Sequence, residues 1–191
     1  MKRLELENHN TREYYNEALN SHFDSTGMDY DDMWRIEALL KEYDGEKLLD
    51  IGCGIAPLCL VAKGKYPEAE VYGIDFADEL VEKLKTKYVA INYSVADFYK
   101  LPFEDDSFGY VTMGELLEHS EEPQRLINEA MRVLKKGGIL AISTPYNERE
   151  QNHYYKQHIW SFVEQDMRDM LDRIINLKVL NNNIIIHAKK S

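Results

Sequence analysis

Leu48-Leu49-Asp50-Ile51-Gly52-Cys53-Gly54-Ile55-Ala56-Pro57 is the stretch that decides how this chain is read. Two apolar residues lead into Asp50, two glycines follow one residue apart, and Leu58, Leu60, Val61 and Ala62 then resume at helical spacing. The succession predicts a buried strand over 48–51, a tight glycine turn and a helix over 57–65, where backbone can approach a small charged ligand closely. The following strand, Val71-Tyr72-Gly73-Ile74-Asp75, ends in an acid about 20 residues beyond the second glycine, the spacing at which a carboxylate reaches a ribose. Together the two elements predict a nucleoside-cofactor site. A nicotinamide or flavin fingerprint needs a third glycine where this chain has Pro57, and Asp50 would repel a pyrophosphate while suiting a cationic amino group.

Alternation of strand and helix continues to residue 143. Helix 78–87, strand 90–95, strand 109–113, helix 121–134 and strand 138–143 follow, with Lys135-Lys136-Gly137-Gly138 as a helix stop. Such alternation implies an α/β fold, a mostly parallel sheet with helices on both faces. Leu177–Leu180 and Ile184–Ala188, joined by Asn181-Asn182-Asn183, read as a closing hairpin that makes the last strand antiparallel. Before the sheet, apolar spacing predicts helices over 11–23 and 29–43. Tyr14, Tyr15 and Phe23 in the first of them either fold over the site as a lid or form that helix's core face.

Length and composition bound the function. At 191 residues the chain fits one domain, a helical cap over 1–45 on a core over 46–191. No apolar run approaches the ~20 residues of a membrane span, and the N-terminal residues lack a signal-peptide core. Cys53 and Cys59 do not make a disulfide framework, so a reducing cytoplasm is expected. A net charge of −11, with no basic run beyond a Lys-Lys pair, argues against a nucleic-acid groove as the main surface.

The turn with Gly73-Ile74-Asp75 downstream resembles class I S-adenosylmethionine-dependent methyltransferases over roughly 47–188, with Ala56 where that family usually has a glycine and Gly109 where it commonly has an acid. The resemblance implies a Rossmann-like seven-stranded sheet with a reversed last strand and S-adenosylmethionine as cofactor. It assigns Gly52, Cys53, Gly54 and Met113 to the cofactor site. Asp75 would accept from both ribose hydroxyls with Phe76 beside the adenine, although an acid there also suits a helix cap. Asp97 would accept from the adenine amino group with Phe98 on the ring. Asp50 would act towards the amino-acid end through water or the turn amides. Cys53 lines the turn with no base near it in sequence, so a nucleophilic role is not expected.

Past the fourth sheet strand comes Gly114-Glu115-Leu116-Leu117-Glu118-His119. If this segment turns helically, Glu115, Glu118 and His119 lie at i, i+3 and i+4 on one face. Two carboxylates and an imidazole suit a divalent cation such as Mg²⁺, Mn²⁺ or Fe²⁺. With His158, Trp160 and Phe162 downstream, the pattern resembles two metal-assisted groups, the small-RNA 3′-terminal 2′-O-methyltransferases and the methyltransferases of ubiquinone-precursor hydroxyls. That resemblance makes Glu115, Glu118, His119 and His158 metal ligands. Metal-free acid/base use of Glu115, His119 and His158, or a purely structural role, fits the same residues. A small hydroxylated metabolite is the expected acceptor. RNA ends are the alternative, with Arg149 and Lys156 as candidate phosphate contacts. A catalytically silent cofactor-binding module is a third reading.

Overall fold

The computed structural model describes residues 1–4, 9–25, 33–148 and 156–191. In chain order the described elements are β1 (Lys2–Arg3), α1 (Arg12–Ser25), α2 (Met33–Leu39), β2 (Leu48–Ile51), α3 (Pro57–Lys65), β3 (Val71–Asp75), α4 (Asp78–Lys87), β4 (Asn92–Val95) and β5 (Phe108–Gly114). A 3₁₀ turn (Leu117–His119), α5 (Pro123–Val133), β6 (Leu134–Pro145), β7 (Trp160–Ser161), α6 (Glu164–Met170), β8 (Ile174–Leu180) and β9 (Asn183–Lys189) complete the fold.

The sheet runs in the order β4-β3-β2-β5-β6-β9-β8. Strands β2 to β6 pair in parallel, and β9 runs antiparallel to both β6 and β8. Strand β2 shows why unbroken apolar runs become central parallel strands. Leu49 and Ile51 enter the core on one face while Leu48 enters the core on the other, so both faces are covered by helices. The chain order reverses between β3 and β5 on either side of β2, which opens a crevice beyond the carboxyl ends of those strands. The closing hairpin turns on Asn181 and Asn182, whose φ of 48° and 59° lie in the left-handed region that asparagine tolerates.

Several element boundaries differ from the sequence expectation. Strand β4 starts at Asn92 rather than 90, and α5 starts at Pro123, which sits in the helix's first turn where its missing N–H costs nothing. The second helix is described as Met33–Leu39, and the 29–32 part of its expected span lies outside the described residues. Strand β6 takes in the Lys135–Gly138 stretch expected as a stop, through a register shift opposite Phe108 and Tyr110 and a φ of 79° at Gly137. The pairing of β1 with β7 was not expected, since two-residue strands carry no readable period. Gly109 gains an explanation. A side chain there would lie 2.6 Å from Glu46, whose carboxylate occupies that space and pairs with Lys135.

Candidate functional site

Strand β2 delivers the glycine turn to the crevice in a conformation that ordinary residues avoid. Gly52 and Gly54 have φ of 72° and 50°, and Ala56, just ahead of α3, follows at 67°. The Gly52 and Cys53 amides both donate to the Ile74 carbonyl, fastening the turn to β3. A side chain at Gly52 would meet Leu116 at 3.0 Å, so glycine here also serves close approach.

Asp75 closes the same turn. One oxygen accepts from the Gly54 amide at 2.9 Å and the other from the Ala77 amide at 3.0 Å, just before α4. The carboxylate therefore joins turn to helix while lining the cavity. Its burial raises its pKa, against the backbone hydrogen bonds that lower it. Asp50 lies deeper. Thr112 Oγ1 donates to it at 2.7 Å, and burial lifts its pKa to about 7. Burial likewise pushes the Cys53 and Cys59 thiols well up, which removes the thiolate that nucleophilic chemistry needs.

Asp50, Gly52, Cys53, Gly54 and Asp75 line a cavity of about 670 Å³. Phe76 and Phe98 meet edge to face at 5.7 Å in its wall, and the exposed Asp97 beside them accepts from the Tyr99 amide at 2.9 Å. Met113 is placed elsewhere. It is fully buried in the sheet core, and its neighbour Gly114 lines the cavity in its stead. Tyr15 packs on Phe76 at 5.2 Å and lines the cavity, whereas Tyr14 is exposed and Phe23 lies under Lys87 of α4. Arg35, on α2, adds a guanidinium to the lining 3.8 Å from Glu115.

The expected helical face after β5 does not form. Glu115 has a φ of 52°, and the only helical piece is the 3₁₀ turn that follows it. The backbone reversal sends Glu115 to Ser143, whose hydroxyl donates to its carboxylate at 2.8 Å. Glu118, His119 and His158 do converge, with one ligand atom from each lying within 4.8 Å of the others. The structure thus brings together three of the four expected ligands and leaves Glu115 at the cavity wall. Glu118 is fully buried. Thr144 donates to one of its oxygens at 3.0 Å, while the other, Oε1, has no hydrogen-bond partner among the described residues and lies 3.9 Å from His119 Nε2. Burial, reinforced by Glu115, raises its pKa well above the usual range.

His119 faces the cavity with its Nδ1 2.9 Å from the Gln157 carbonyl oxygen and 3.1 Å from Tyr15 Oη. A carbonyl only accepts, so Nδ1 carries the hydrogen and Nε2 the lone pair. Burial, and then His158, lower its pKa to about 4, so the imidazole is neutral across ordinary pH. Trp160 donates to the Ser120 carbonyl at 2.8 Å and Phe162 is fully buried. Lys156 is exposed, and Arg149 lies outside the described residues.

Residues 49–142 match the family model described as "Methyltransferase domain". Over that stretch, just under half of the chain, the sequence is similar to methyltransferase domains. Its relatives include a ubiquinone/menaquinone biosynthesis C-methyltransferase UbiE from Desulfotalea psychrophila, 34% identical over 58% of this chain and 47% of that protein. A demethylmenaquinone methyltransferase from Thermotoga maritima is 29% identical over 73% of this chain and 62% of that protein. The chain thus spans about half to three fifths of the length of these two relatives. The methyltransferase fold extends beyond the matched core. A solved SAM-dependent methyltransferase from Aquifex aeolicus superposes with a TM-score of 0.74 over 92% of this chain and 98% of that one, at 20% identity. Magnesium protoporphyrin IX methyltransferase from Synechocystis superposes with a TM-score of 0.72 at 16% identity, over 94% of this chain and 98% of that one. The Aquifex aeolicus neighbour is SAM-dependent by name. No helix among the described residues is long and apolar enough to cross a membrane.

Sequence reasoning did not single out Asn10, Arg35, Ser143, Thr144 or Glu148. Arg35 sits in a helix whose pattern shows only its core face, and Glu148 stands just after β6 with no spacing signal towards His158.

Proposed function

We propose that this chain transfers the methyl group of S-adenosylmethionine to the hydroxyl of a small metabolite. The observation that carries the reading is that one cavity holds the Asp75–Gly54 turn at one end and the neutral His119 imidazole at the other. Asp75 is the acceptor for the ribose hydroxyls. Phe76 and Phe98 offer faces to an adenine, with Asp97 at its rim, and Asp50 and Arg35 suit the ammonium and carboxylate of the amino-acid end. Its volume lies in the range of small-molecule sites.

The acceptor oxygen attacks the sulfonium methyl, an O–C bond forms as the C–S bond breaks, and the thioether product leaves uncharged. The acceptor's proton passes to His119 Nε2. A nitrogen with a pKa near 4 is a weak base, so this step favours an acidic hydroxyl such as a phenol or catechol. A divalent cation would lower a bound hydroxyl's pKa further. Glu118, His119 and His158 are the residues that would hold one, and the unpartnered Glu118 Oε1 beside a histidine lone pair suits that use. Proton acceptance and metal ligation need the same His119 lone pair, so the two uses exclude each other.

A carbon acceptor is the second reading, favoured by the name of the Desulfotalea relative. Deprotonating a phenol makes its ring carbons nucleophilic as well as its oxygen. The test is turnover of ¹³C-methyl-labelled cofactor with a panel of phenols and catechols, followed by NMR of the product. A methoxy signal supports oxygen transfer, and a methyl signal on ring carbon selects the second reading. His119→Ala should lower the rate about 10²- to 10⁴-fold with affinity for S-adenosylhomocysteine within a few-fold of wild type. If both fall together, His119 is a cofactor contact and the proposed proton path is wrong. Cofactor binding without transfer to any acceptor would point to a silent module, and a low-salt gel shift with RNA would revive the nucleic-acid reading.

A further inference from the structure

The nitrogen that His158 can offer to the Glu118–His119 cluster depends on what holds its other nitrogen. His158 Nδ1 lies 2.9 Å and 2.8 Å from the two oxygens of Glu148, and both residues are buried, at 8% and 7% exposure. The orientation is reached from two directions. Glu148 stands just after β6, beyond Tyr146 and Asn147, which bond to the hairpin turn at Asn182 and to Phe162. His158 comes from the segment that enters β7, where the Ile159 amide donates to the Glu118 carbonyl at 2.7 Å. The neighbouring Gln157 carbonyl is the group that fixes the His119 tautomer. The rings of His119 and His158 stand 4.8 Å apart at 78°.

We propose that Glu148 is a positioning residue, holding His158 as its Nδ1–H tautomer so that Nε2 is the nitrogen presented to Glu118 and His119. It rests on the reading of this cluster as part of the transfer site. An ionised carboxylate only accepts hydrogen bonds, so hydrogen on Nδ1 satisfies both partners, whereas hydrogen on Nε2 would set an Nδ1 lone pair against two anionic oxygens. A backbone carbonyl imposes the same tautomer on His119. Two imidazoles thus meet Glu118 with both lone pairs on Nε2, one fixed by main chain and the other by Glu148. Carboxylate partners of this kind set the orientation of a ligating histidine, and losing one costs about 10- to 100-fold in metal affinity or activity.

The deciding measurement is long-range ¹H–¹⁵N NMR of the histidine rings for wild type, Glu148→Gln and Glu148→Asp. Wild type should show hydrogen on Nδ1 of His158, and Glu148→Asp should keep it by retaining a carboxylate. Glu148→Gln should give a mixture of tautomers, because an amide donates as readily as it accepts. His119 should stay Nδ1–H in all three and serves as the internal reference for a folded cluster. In parallel, Mn²⁺ titration should show affinity lower by about 10- to 100-fold in Glu148→Gln and restored towards wild type in Glu148→Asp. A His158 tautomer unchanged in Glu148→Gln, or hydrogen on Nε2 in wild type, overturns the proposal. Wild type that binds no Mn²⁺ would remove the metal use of the cluster, and the tautomer signals would still decide the role of Glu148.

Discussion

The two ends of the cavity are built on different principles. At the cofactor end, everything from Asp50 to Asp75 belongs to one strand–turn–helix–strand unit, and its contacts are turn amides meeting a carboxylate. At the transfer end, His119 is held by Gln157 and Tyr15, Asn10 bridges the His119 and Gln157 carbonyls, and His158 is held by Glu148. Those residues come from the N-terminal segment, the β5–α5 connection, the end of β6 and the approach to β7. The first end is a property of local chain geometry, and the second exists only when distant segments have packed. Changes at the first should therefore be read in binding, and changes at the second in turnover.

The largest effect expected from this contrast is at Asp75. Asp75→Ala removes the acceptor of two amides and of the ribose hydroxyls together. With charge-assisted hydrogen bonds at roughly 1.5–3 kcal/mol each, affinity for S-adenosylhomocysteine should fall at least about 100-fold. Calorimetry on protein whose circular dichroism is unchanged checks this. Retained binding would mean that Asp75 serves only the turn and α4, and the division between the two ends would fail.

A smaller effect separates Asp50 from Asp75 within the cofactor end. Asp50 is held at a pKa of about 7 by burial, against an ordinary carboxylate value near 3.9. A cationic ammonium favours its ionised form, so cofactor binding should release a proton. Affinity for S-adenosylhomocysteine should rise by about tenfold between roughly pH 6 and pH 8 and be flatter in Asp50→Asn. The stability sign is opposite. A carboxyl whose folded pKa is raised stabilises the fold only while protonated, and that contribution is lost as pH rises through about 7. The cofactor-free Asp50→Asn protein should therefore gain melting temperature relative to wild type as pH is raised. Parallel pH profiles for the two proteins would show that Asp50 does not titrate in this range.

The same contrast explains what could be read from the chain before its structure was known. The strand, turn and helix from Leu48 to Lys65 and the acid closing β3 are encoded in contiguous residues, and they stand where their spacing puts them. The reversed β9 followed from the apolar runs on either side of three asparagines. The cluster was only partly legible. Glu118 and His119 are neighbours in sequence, yet spacing alone could not show that the left-handed backbone at Glu115 turns that residue aside to Ser143. Met113 faces the core because side chains alternate along β5, which places Gly114 rather than Met113 at the cavity. Glu148 and Gln157 were invisible because a tautomer-fixing partner needs only one oxygen in the right place, which any of several residue types could supply.

The smallest expected effect lies at Ala56, where three terms of similar size oppose one another. Its φ of 67° places a fully buried alanine in the left-handed region, which costs roughly 1–2 kcal/mol for a residue with a Cβ. Ala56→Gly removes that strain. The substitution also frees the unfolded chain, which opposes the gain by about 0.4–1 kcal/mol, and it withdraws a buried methyl group worth about 0.8 kcal/mol. The terms nearly cancel, so denaturant unfolding should show a change within about 1 kcal/mol of zero. Cofactor affinity is the sharper readout, because Ala56 accepts the first hydrogen bond of α3 from Leu60 and so sets how the turn enters that helix. Unchanged stability with unchanged affinity would mean that alanine reproduces the glycine geometry here at no functional cost. A stability gain well above 1 kcal/mol accompanied by weaker binding would show instead that strain at Ala56 holds the turn open for its ligand, and would make the cofactor end more than a product of local chain geometry.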